Sequence, residues 1–261
     1  MILLLALAFN ESVIGNREAS KRSFKILHGT AIKSWTNNPF KFVVMLIGKG
    51  LCTGSIYSPW TVLSAAHCFT DKEATIDEVE LERTSYQQEN DHDRIKIGET
   101  HLNPEYLEIH KKTIVNGFDT AVVILQTEIN LGKYDVVVGE FCKTIDLIIG
   151  EAVIIVGYGT DSANNGHMGE LRWGQETYIK CFAGGPRGKP ICAQPNKKYG
   201  NQDTEGGDSG SPLVWKRRNG EMMILGVLSG STSWLDGSYA NVYASIKNNW
   251  TFIKQHVKNA K

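Results

Sequence analysis

The stretch from Gly206 to Pro212, Gly-Gly-Asp-Ser-Gly-Ser-Pro, combines three glycines, an acid and two hydroxyls within seven residues. Glycine is needed where the backbone turns with a positive φ or approaches another group closely. Such a run can hold Ser209 at a tight bend and direct backbone N–H groups at whatever the serine contacts. The same residue types dominate ordinary surface turns, so this stretch by itself leaves both readings open.

Two upstream segments contain the other groups that serine chemistry needs. A serine hydroxyl is a weak nucleophile unless a base lies within hydrogen-bond reach, and histidine accepts and returns a proton near neutral pH. His67 stands out because it lies in the apolar segment Leu63–Cys68. Asp119 leads directly into the apolar run Ala121–Leu125, where a carboxylate loses water and needs a partner.

Together these segments resemble the trypsin/chymotrypsin-like serine peptidase family. The family pattern is a histidine in an (S/T)AAHC segment, an aspartate opening a D-x-A-x-x-x-L strand and a serine in GDSGGP. This chain has Ser64–Cys68, Asp119–Leu125 and Gly207–Pro212 in that order, with Ser211 replacing the second glycine of the last motif. The order His, Asp, Ser distinguishes the family from unrelated folds with the same geometry. The resemblance extends from about Ile26 to the C-terminus.

The resemblance implies a role for each of these residues. Ser209 would be the nucleophile, His67 the general base and then the general acid, and Asp119 the group that orients His67. The backbone N–H groups of Gly207 and Ser209 would form an oxyanion hole, where loss of one donor typically lowers the rate about 100- to 1,000-fold. The resemblance implies no cofactor and no metal, and the sequence contains no CxxC or HExxH spacing.

The residues implied for the specificity pocket match the family pattern only in part. Asp203 lies six positions before Ser209, where family members that cleave after Lys or Arg have an acid at the pocket base. Glu205 replaces a usual cysteine, and Ser231 and Asn241 replace glycines that keep the pocket open. The sequence therefore predicts cleavage after basic residues through Asp203, with a narrowed pocket of different specificity as the alternative.

The sequence of the N-terminal region predicts that the chain is cleaved by proteases as it matures. Residues 1–8 are short and apolar, as in a signal sequence or a truncated one, and residues 9–25 have the polarity of a propeptide. Lys25–Ile26 resembles the family's activation site, although a basic linker ahead of a strand is the alternative. After cleavage the α-ammonium of Ile26 would pair with Asp208, which would otherwise be a buried carboxylate without a partner. Residues 26–261 would then form the peptidase domain.

The chain has five cysteines, which is an odd number. In a cytosolic protein they would be free or metal-bound, whereas in a secreted protein most of them would pair. The resemblance implies two disulfides, Cys52–Cys68 and Cys181–Cys192. Cys142 is left over, either as a small buried apolar residue or as one half of an intermolecular disulfide.

Composition and periodicity bound the fold. The 261 residues, of which 41% are hydrophobic, suffice for one large or two small cores. Short β-rich runs such as 42–47 and 121–125 predict an all-β sandwich or barrel. The resemblance implies two six-stranded antiparallel β-barrels divided near residues 130–145, with the active site between them. The tail 245–261 has apolar residues at helical spacing and predicts an amphipathic C-terminal α-helix.

The charge balance and the length of the apolar runs favour neither nucleic acid nor a membrane as a partner. Lys+Arg and Asp+Glu number 28 each, so no global field favours nucleic acid or a membrane surface. No apolar run reaches the roughly 18 residues of a membrane span.

Residues 71–93 are acidic and predict an exposed loop, with an acidic rim for basic partners or a calcium-binding loop as alternatives. Asn10 and Asn249 open N-glycosylation acceptor sequences.

These observations predict a secreted, extracellular serine endopeptidase that is made as a zymogen and acts as a monomer. Its partners would be protein or peptide substrates, an activating trypsin-like protease and protein inhibitors, and neither nucleic acid nor membrane. A non-catalytic homologue that acts as a binding protein would usually have lost one of the three residues, and this chain keeps them all. A serine esterase of α/β-hydrolase type would need alternating helices and strands and another residue order.

Overall fold

The computed structural model of the chain describes its larger part, and the structural statements below concern that part. The described residues are 26, 28–71, 75–85, 94–109, 116–144, 146–159, 169–181, 188–233 and 239–258. The expected signal sequence and propeptide, residues 1–25, lie outside the described residues, as does much of the acidic segment 71–93.

The described residues form fourteen strands and two α-helices. In chain order the strands are β1 (Thr30–Ala31), β2 (Val43–Gly48), β3 (Leu51–Ser58), β4 (Thr61–Ser64), β5 (Ile76–Glu80), β6 (Arg94–Leu102), β7 (Ala121–Leu125), β8 (Glu140–Phe141), β9 (Ala152–Gly157), β10 (Arg172–Ile179), β11 (Ile191–Gln194), β12 (Pro212–Lys216), β13 (Met222–Ser233) and β14 (Tyr239–Ser245). The helices are α1 (Pro104–Ile109) and α2 (Ile246–His256).

Six strands close into the first barrel in the order β2-β3-β4-β7-β6-β5, and β5 pairs back with β2. All of these pairings are antiparallel, and Met45 opposite Glu80 lies in the register that closes the barrel. Branched aliphatic residues such as Val44, Ile56 and Val62 are completely buried in these strands. Such side chains favour strands because they pack well on a pleated, buried surface.

The second barrel consists of β9, β12, β13, β14, β11 and β10, and β10 pairs back with β9 to close it. The two short strands extend this sheet, because β1 pairs antiparallel with β10 and β8 pairs parallel with β13. The prediction of two six-stranded antiparallel barrels is thus confirmed. β7 ends at Leu125 and β9 begins at Ala152, so the division predicted near residues 130–145 falls within this connection.

One cluster of buried apolar side chains spans both barrels, and the second barrel has a further core cluster of its own. A single cluster of buried side chains includes Leu46 and Val123 from the first barrel together with Val156 and Val214 from the second. Contact through a common core fixes one barrel relative to the other, because close-packed interiors do not deform freely. Side chains contributed by the two barrels to the cleft between them are therefore held at fixed positions.

The predicted C-terminal helix is present as α2, which follows β14 without a connecting loop. Its buried face includes Ile246, Phe252 and Ile253. Asn249 is also buried, and its Nδ2 atom donates hydrogen bonds to the carbonyl oxygens of Gly117 and Ser245, both at 2.9 Å. An enzyme that attaches a glycan cannot reach this amide in the folded protein, so Asn249 is not a glycosylation site there.

Both disulfides implied by the resemblance are present. Cys52 on β3 bonds to Cys68, and Cys181 bonds to Cys192 on β11. Cys142 is free and buried in the core of the second barrel, which agrees with the reading as a small apolar residue. Within the described ranges, no helix is long and apolar enough to cross a membrane. Those ranges also contain no group of three or more potential metal ligands.

Candidate active site

His67 and Asp119 meet because the strands that precede and follow them are neighbours in the first barrel. β4 leads into a single 3₁₀ turn, Ala66–Phe69, and Asp119 lies just before β7, which pairs with β4. His67 Nδ1 lies 2.7 Å from Asp119 Oδ2, and the His67 backbone N–H donates to Asp119 Oδ1 at 2.9 Å. Asp119 is completely buried, whereas the His67 side chain is 29% exposed. The carboxylate therefore favours the tautomer with a proton on Nδ1, which leaves Nε2 as the proton acceptor.

Ser209 lies on a loop whose shape depends on glycine. Gly207 and Gly210 on either side of it have φ values of +96° and +82°, which side chains rarely tolerate. A Cβ atom on Gly210 would lie 2.1 Å from Ser64 Oγ and 2.4 Å from the Thr53 carbonyl oxygen. Only glycine therefore allows the loop to approach the first barrel this closely.

The Ser209 loop contacts the turn that carries His67. Cys68 Sγ lies 3.8 Å from the Ser209 carbonyl oxygen, and the disulfide from Cys68 to Cys52 fastens the turn to β3. Ser209 itself precedes β12 of the second barrel. The structure thus brings the predicted histidine and aspartate into direct contact and places the predicted serine against the same turn.

Thr53 on β3 makes two hydrogen bonds to the Ser209 loop and a third to Tyr158. Its backbone N–H donates to the Ser209 carbonyl at 2.8 Å, and its hydroxyl donates to the Gly207 carbonyl at 3.0 Å. The same hydroxyl oxygen accepts from the Tyr158 backbone N–H at 3.1 Å. Thr53 is completely buried, so water does not compete for these bonds. It is the residue that fixes the backbone of the loop against the first barrel.

The backbone around Ser209 leaves two N–H groups available. The carbonyls of Gly207 and Ser209 both bond to Thr53, whereas their N–H groups have no acceptor within the described ranges. Two adjacent donors of this kind can bind a negatively charged oxygen. Their position beside Ser209 is the one that the resemblance implies for an oxyanion hole.

Asp208 is a completely buried carboxylate held by backbone donors. Its Oδ1 atom accepts from the Gly159 N–H at 2.8 Å and its Oδ2 atom from the Glu205 N–H at 2.9 Å. Burial raises the pKa of Asp208 to about 7, although both backbone bonds oppose this rise. Among the described residues no Lys, Arg or His side chain pairs with it. Ile26, the proposed new N-terminus, is buried in the core of the second barrel.

An open pocket of about 330 Å³ lies beside Ser209. Its lining residues are Thr204, Glu205, Gly206, Ser209, Leu228, Gly230, Ser231 and Tyr239. Ser231 thus lines the pocket as the resemblance implied, and Glu205 lines it as well. Burial raises the pKa of the Glu205 carboxyl, and the negative charge of Asp203 adds to the rise.

Asp203 and Asn241, the other two predicted pocket residues, lie directly behind this lining. Ser231 Oγ donates to Asn241 Oδ1 at 2.6 Å, and Asn241 Nδ2 donates to Asp203 Oδ1 at 2.7 Å. Asp203 also accepts from the Thr204 backbone N–H at 2.8 Å. The structure therefore connects all three residues in one hydrogen-bond network.

Sequence reasoning missed two residues of this site. Thr53 follows Cys52 in a buried strand, where a polar residue is a weak sign of a specific hydrogen bond. Glu176 on β10 is a completely buried acid that accepts from Asn241 Nδ2 at 2.5 Å. Its neighbours in sequence, Gln175 and Thr177, are polar, so nothing in the local pattern distinguished it from an exposed strand residue.

The fold and the site together define a serine protease built from two β-barrels. Residues 29–253 match the protein family described as Trypsin. Because this match covers most of the chain, the protein belongs to the trypsin family.

Individual relatives are similar along most of their length. The chain is 28% identical over 234 residues to the cercarial protease of Schistosoma mansoni, covering 84% of this chain and 85% of that protein. It is 27% identical over 236 residues to trypsin beta of Drosophila erecta, covering 85% of this chain and 84% of the relative. For trypsin alpha-4 of Lucilia cuprina the identity is 24% over 221 residues, covering 80% of this chain and 78% of the relative.

Thr53→Val tests the role of the threonine hydroxyl. The change keeps the shape and the backbone N–H bond to Ser209 but leaves the Gly207 carbonyl and the Tyr158 N–H unpaired. We expect kcat for a peptide substrate to fall about 10- to 100-fold, less than the loss of an oxyanion donor itself, with KM little changed. Steady-state kinetics on enzyme normalised by active-site titration measure the effect.

Thr53→Ser is the matched control, because it restores the hydroxyl on the same backbone. It should recover most of the lost kcat. Binding of a peptide aldehyde, which forms a tetrahedral adduct, should weaken in Thr53→Val more than binding of the corresponding peptide amide. Wild-type kcat in Thr53→Val would show that the hydroxyl does not position the loop.

Proposed function

We propose that the protein is a secreted serine endopeptidase, made as a zymogen, that hydrolyses peptide bonds after Lys or Arg. The observation that carries the proposal is the 2.7 Å contact between His67 Nδ1 and the buried carboxylate of Asp119, beside the loop that bears Ser209. A buried carboxylate stabilises a histidine that becomes charged during a reaction. Membership of the trypsin family and two disulfides support this reading.

The chemistry follows from this arrangement. Ser209 Oγ attacks the carbonyl carbon of the substrate while His67 Nε2 takes the hydroxyl proton, and Asp119 stabilises the resulting imidazolium. The N–H groups of Gly207 and Ser209 hold the oxyanion of the tetrahedral intermediate. His67 then gives its proton to the leaving amine, which produces an acyl-enzyme on Ser209. A water molecule, deprotonated by His67, releases the acid product and regenerates the serine.

The acidic surroundings of the pocket support a basic residue on the N-terminal side of the scissile bond, at P1. Glu205 lines the pocket, and Asp203 lies behind it within one hydrogen-bond network. A cation that enters a partly desolvated pocket is stabilised by carboxylates there. The alternative is a narrowed pocket for smaller side chains, and the presence of Ser231 and Tyr239 on its wall favours that reading.

The P1 preference of the cleaved protein tests this function. Peptides that differ only at P1 should be hydrolysed fastest when P1 is Lys or Arg. Ser209→Ala should abolish hydrolysis with the fold retained, whereas Ser231→Ala, a matched change within the same pocket, should leave turnover measurable. Turnover restricted to small or apolar P1 residues would support the narrowed pocket. An intact fold without any turnover would support a binding protein instead.

The zymogen part of the proposal rests on Asp208. A completely buried carboxylate without a cation is unfavourable, so in the uncut chain Asp208 keeps its proton up to about pH 7. Cleavage at Lys25–Ile26, which lies at the edge of the described residues, would convert the Ile26 nitrogen to an ammonium group. Pairing of this ammonium with Asp208 would order the adjacent Gly207 and Ser209 N–H groups.

Lys25→Gln prevents this cleavage and yields a testable pH dependence. The pKa of Asp208 is higher in the folded than in the unfolded chain. The protonated Asp208 carboxyl therefore makes its full contribution to the free energy of unfolding below about pH 4. The contribution is lost as the pH rises through about 7. The loss by pH 8 is roughly 4 kcal/mol in the free energy of unfolding. Urea unfolding of Lys25→Gln and of Lys25→Gln/Asp208→Asn isolates this effect.

The cleaved protein provides the comparison, since its Ile26 ammonium should stabilise ionised Asp208 and remove the loss. Lys25→Gln should also remain inactive after treatment with trypsin, whereas the wild-type chain should gain activity. Full activity of uncut Lys25→Gln, or the same pH dependence in cleaved and uncut protein, would contradict the proposed switch.

A further inference from the structure

Asn241 is the centre of the network behind the pocket. Its Nδ2 atom donates one hydrogen to Glu176 Oε1 at 2.5 Å and the other to Asp203 Oδ1 at 2.7 Å. Its Oδ1 atom accepts from Ser231 Oγ at 2.6 Å and from the Tyr239 hydroxyl at 3.4 Å. Both donors of this amide are therefore used, and its oxygen accepts a short hydrogen bond from Ser231. The opposite orientation would turn Oδ1 towards two carboxyl groups, so the amide is fixed.

Glu176 favours this orientation of the amide, because its Oε1 atom accepts from Asn241 Nδ2. It is completely buried, and burial together with the nearby charge of Asp203 raises the pKa of Glu176 well above its usual range. Burial also raises the pKa of Asp203, but hydrogen bonds from Asn241 and the Thr204 N–H oppose that rise. Of these two acids, Asp203 is therefore the one whose charged form receives more hydrogen bonds, and it lies closer to the pocket.

One oxygen of Asp203 is fully occupied. Oδ1 accepts from the Thr204 N–H at 2.8 Å and from Asn241 Nδ2 at 2.7 Å, and the Tyr239 hydroxyl, 3.4 Å away, donates its single hydrogen either here or to Asn241 Oδ1. Within the described part of the chain no donor bonds to Oδ2. A substrate cation that reaches Asp203 through the pocket would therefore meet a single free carboxylate oxygen, and not the pair of parallel oxygens that a carboxylate normally presents.

The two basic side chains differ in what they need from such a site. The planar guanidinium of Arg binds best to both oxygens of one carboxylate through two parallel hydrogen bonds. The ammonium of Lys is a compact charge with three rotatable donors, which separate single acceptors satisfy. Ser231 and Tyr239 supply such acceptors on the pocket wall. The Ser231 hydroxyl hydrogen points to Asn241 and the single Tyr239 hydroxyl hydrogen points to either Asn241 or Asp203, so a lone pair on each oxygen remains for a substrate.

We propose that Asn241, held by Glu176, makes this pocket select Lys over Arg at P1 by occupying one oxygen of Asp203. This inference rests on the proposed cleavage after basic residues and narrows it to one side chain. Glu176 acts here as a positioning residue, whereas Asn241 and Asp203 determine the preference.

The test compares kcat/KM for two peptides that differ only in Lys or Arg at P1. We expect the cleaved wild-type protein to prefer Lys by about tenfold or more, the worth of one charge-assisted hydrogen bond. Asn241→Gly removes the Nδ2 donor from Asp203 Oδ1, which keeps only the Thr204 N–H as a short bond, and should shift the ratio towards Arg by a similar factor. Glu176→Gln keeps a neutral acceptor for Asn241 and should retain the preference for Lys.

Leu228→Ala is the matched control, because it enlarges the same pocket without removing any hydrogen bond of the Asn241 network. It should leave the ratio of Lys to Arg unchanged. Inhibition constants give a readout that does not need turnover. Benzamidine, a planar amidinium, should bind about tenfold tighter to Asn241→Gly than to wild type, whereas n-butylamine should not gain.

The outcomes separate this inference from the function on which it rests. Failure of the wild-type protein to cleave after either Lys or Arg would overturn both. Cleavage after Arg as fast as after Lys would overturn the preference and leave the basic specificity intact. Equal shifts in Asn241→Gly and Leu228→Ala would show that space in the pocket, and not the occupied oxygen, sets the ratio. Loss of the Lys preference in Glu176→Gln would refute the positioning role of Glu176.

Discussion

The geometry of the site depends on the hydrogen bonds that Thr53 makes. In the proposed mechanism the first barrel supplies His67 and Asp119 and the second supplies Ser209, so these groups can react together only if the two barrels keep one relative position. The shared apolar core fixes that position coarsely. Thr53 fixes it locally, because its N–H and hydroxyl bond to the Ser209 and Gly207 carbonyls. Because these bonds use the carbonyl oxygens, the N–H groups of Gly207 and Ser209 remain available as hydrogen-bond donors.

Desolvation of carboxylates is the constraint that recurs throughout the site. Asp119, Asp208 and Glu176 are all completely buried, and each is accommodated differently. Asp119 pairs with His67, Asp208 accepts two backbone bonds, and Glu176 accepts from Asn241. Pairing with a base favours the charged form of a buried carboxyl group, whereas burial without a cation favours the protonated form. The proposed orientation of the base, the proposed activation switch and the proposed control of the pocket thus depend on one physical effect.

Much of this arrangement could be predicted from the sequence. Short motifs around His67, Asp119 and Ser209 carry chemistry that needs those residue types close together, and the resemblance supplied the two barrels and both disulfides. Thr53 and Glu176 escaped prediction because their roles come from partners more than a hundred and about sixty-five positions away, respectively. Asn241 was expected to add bulk or polarity to the pocket, but its particular hydrogen bonds depend on the register between β13 and β14.

The central claim is that a buried carboxylate orients His67 as the base for Ser209. The measurement that tests it most directly is kcat of the Asp119→Asn variant. The amide would donate to Nδ1 and favour the wrong tautomer, so we predict that kcat falls about 10,000-fold, as in other proteases with this triad. Asp135→Asn is the matched control, because Asp135 is an exposed acid paired with Lys41. Activity of Asp119→Asn within tenfold of wild type would contradict the account.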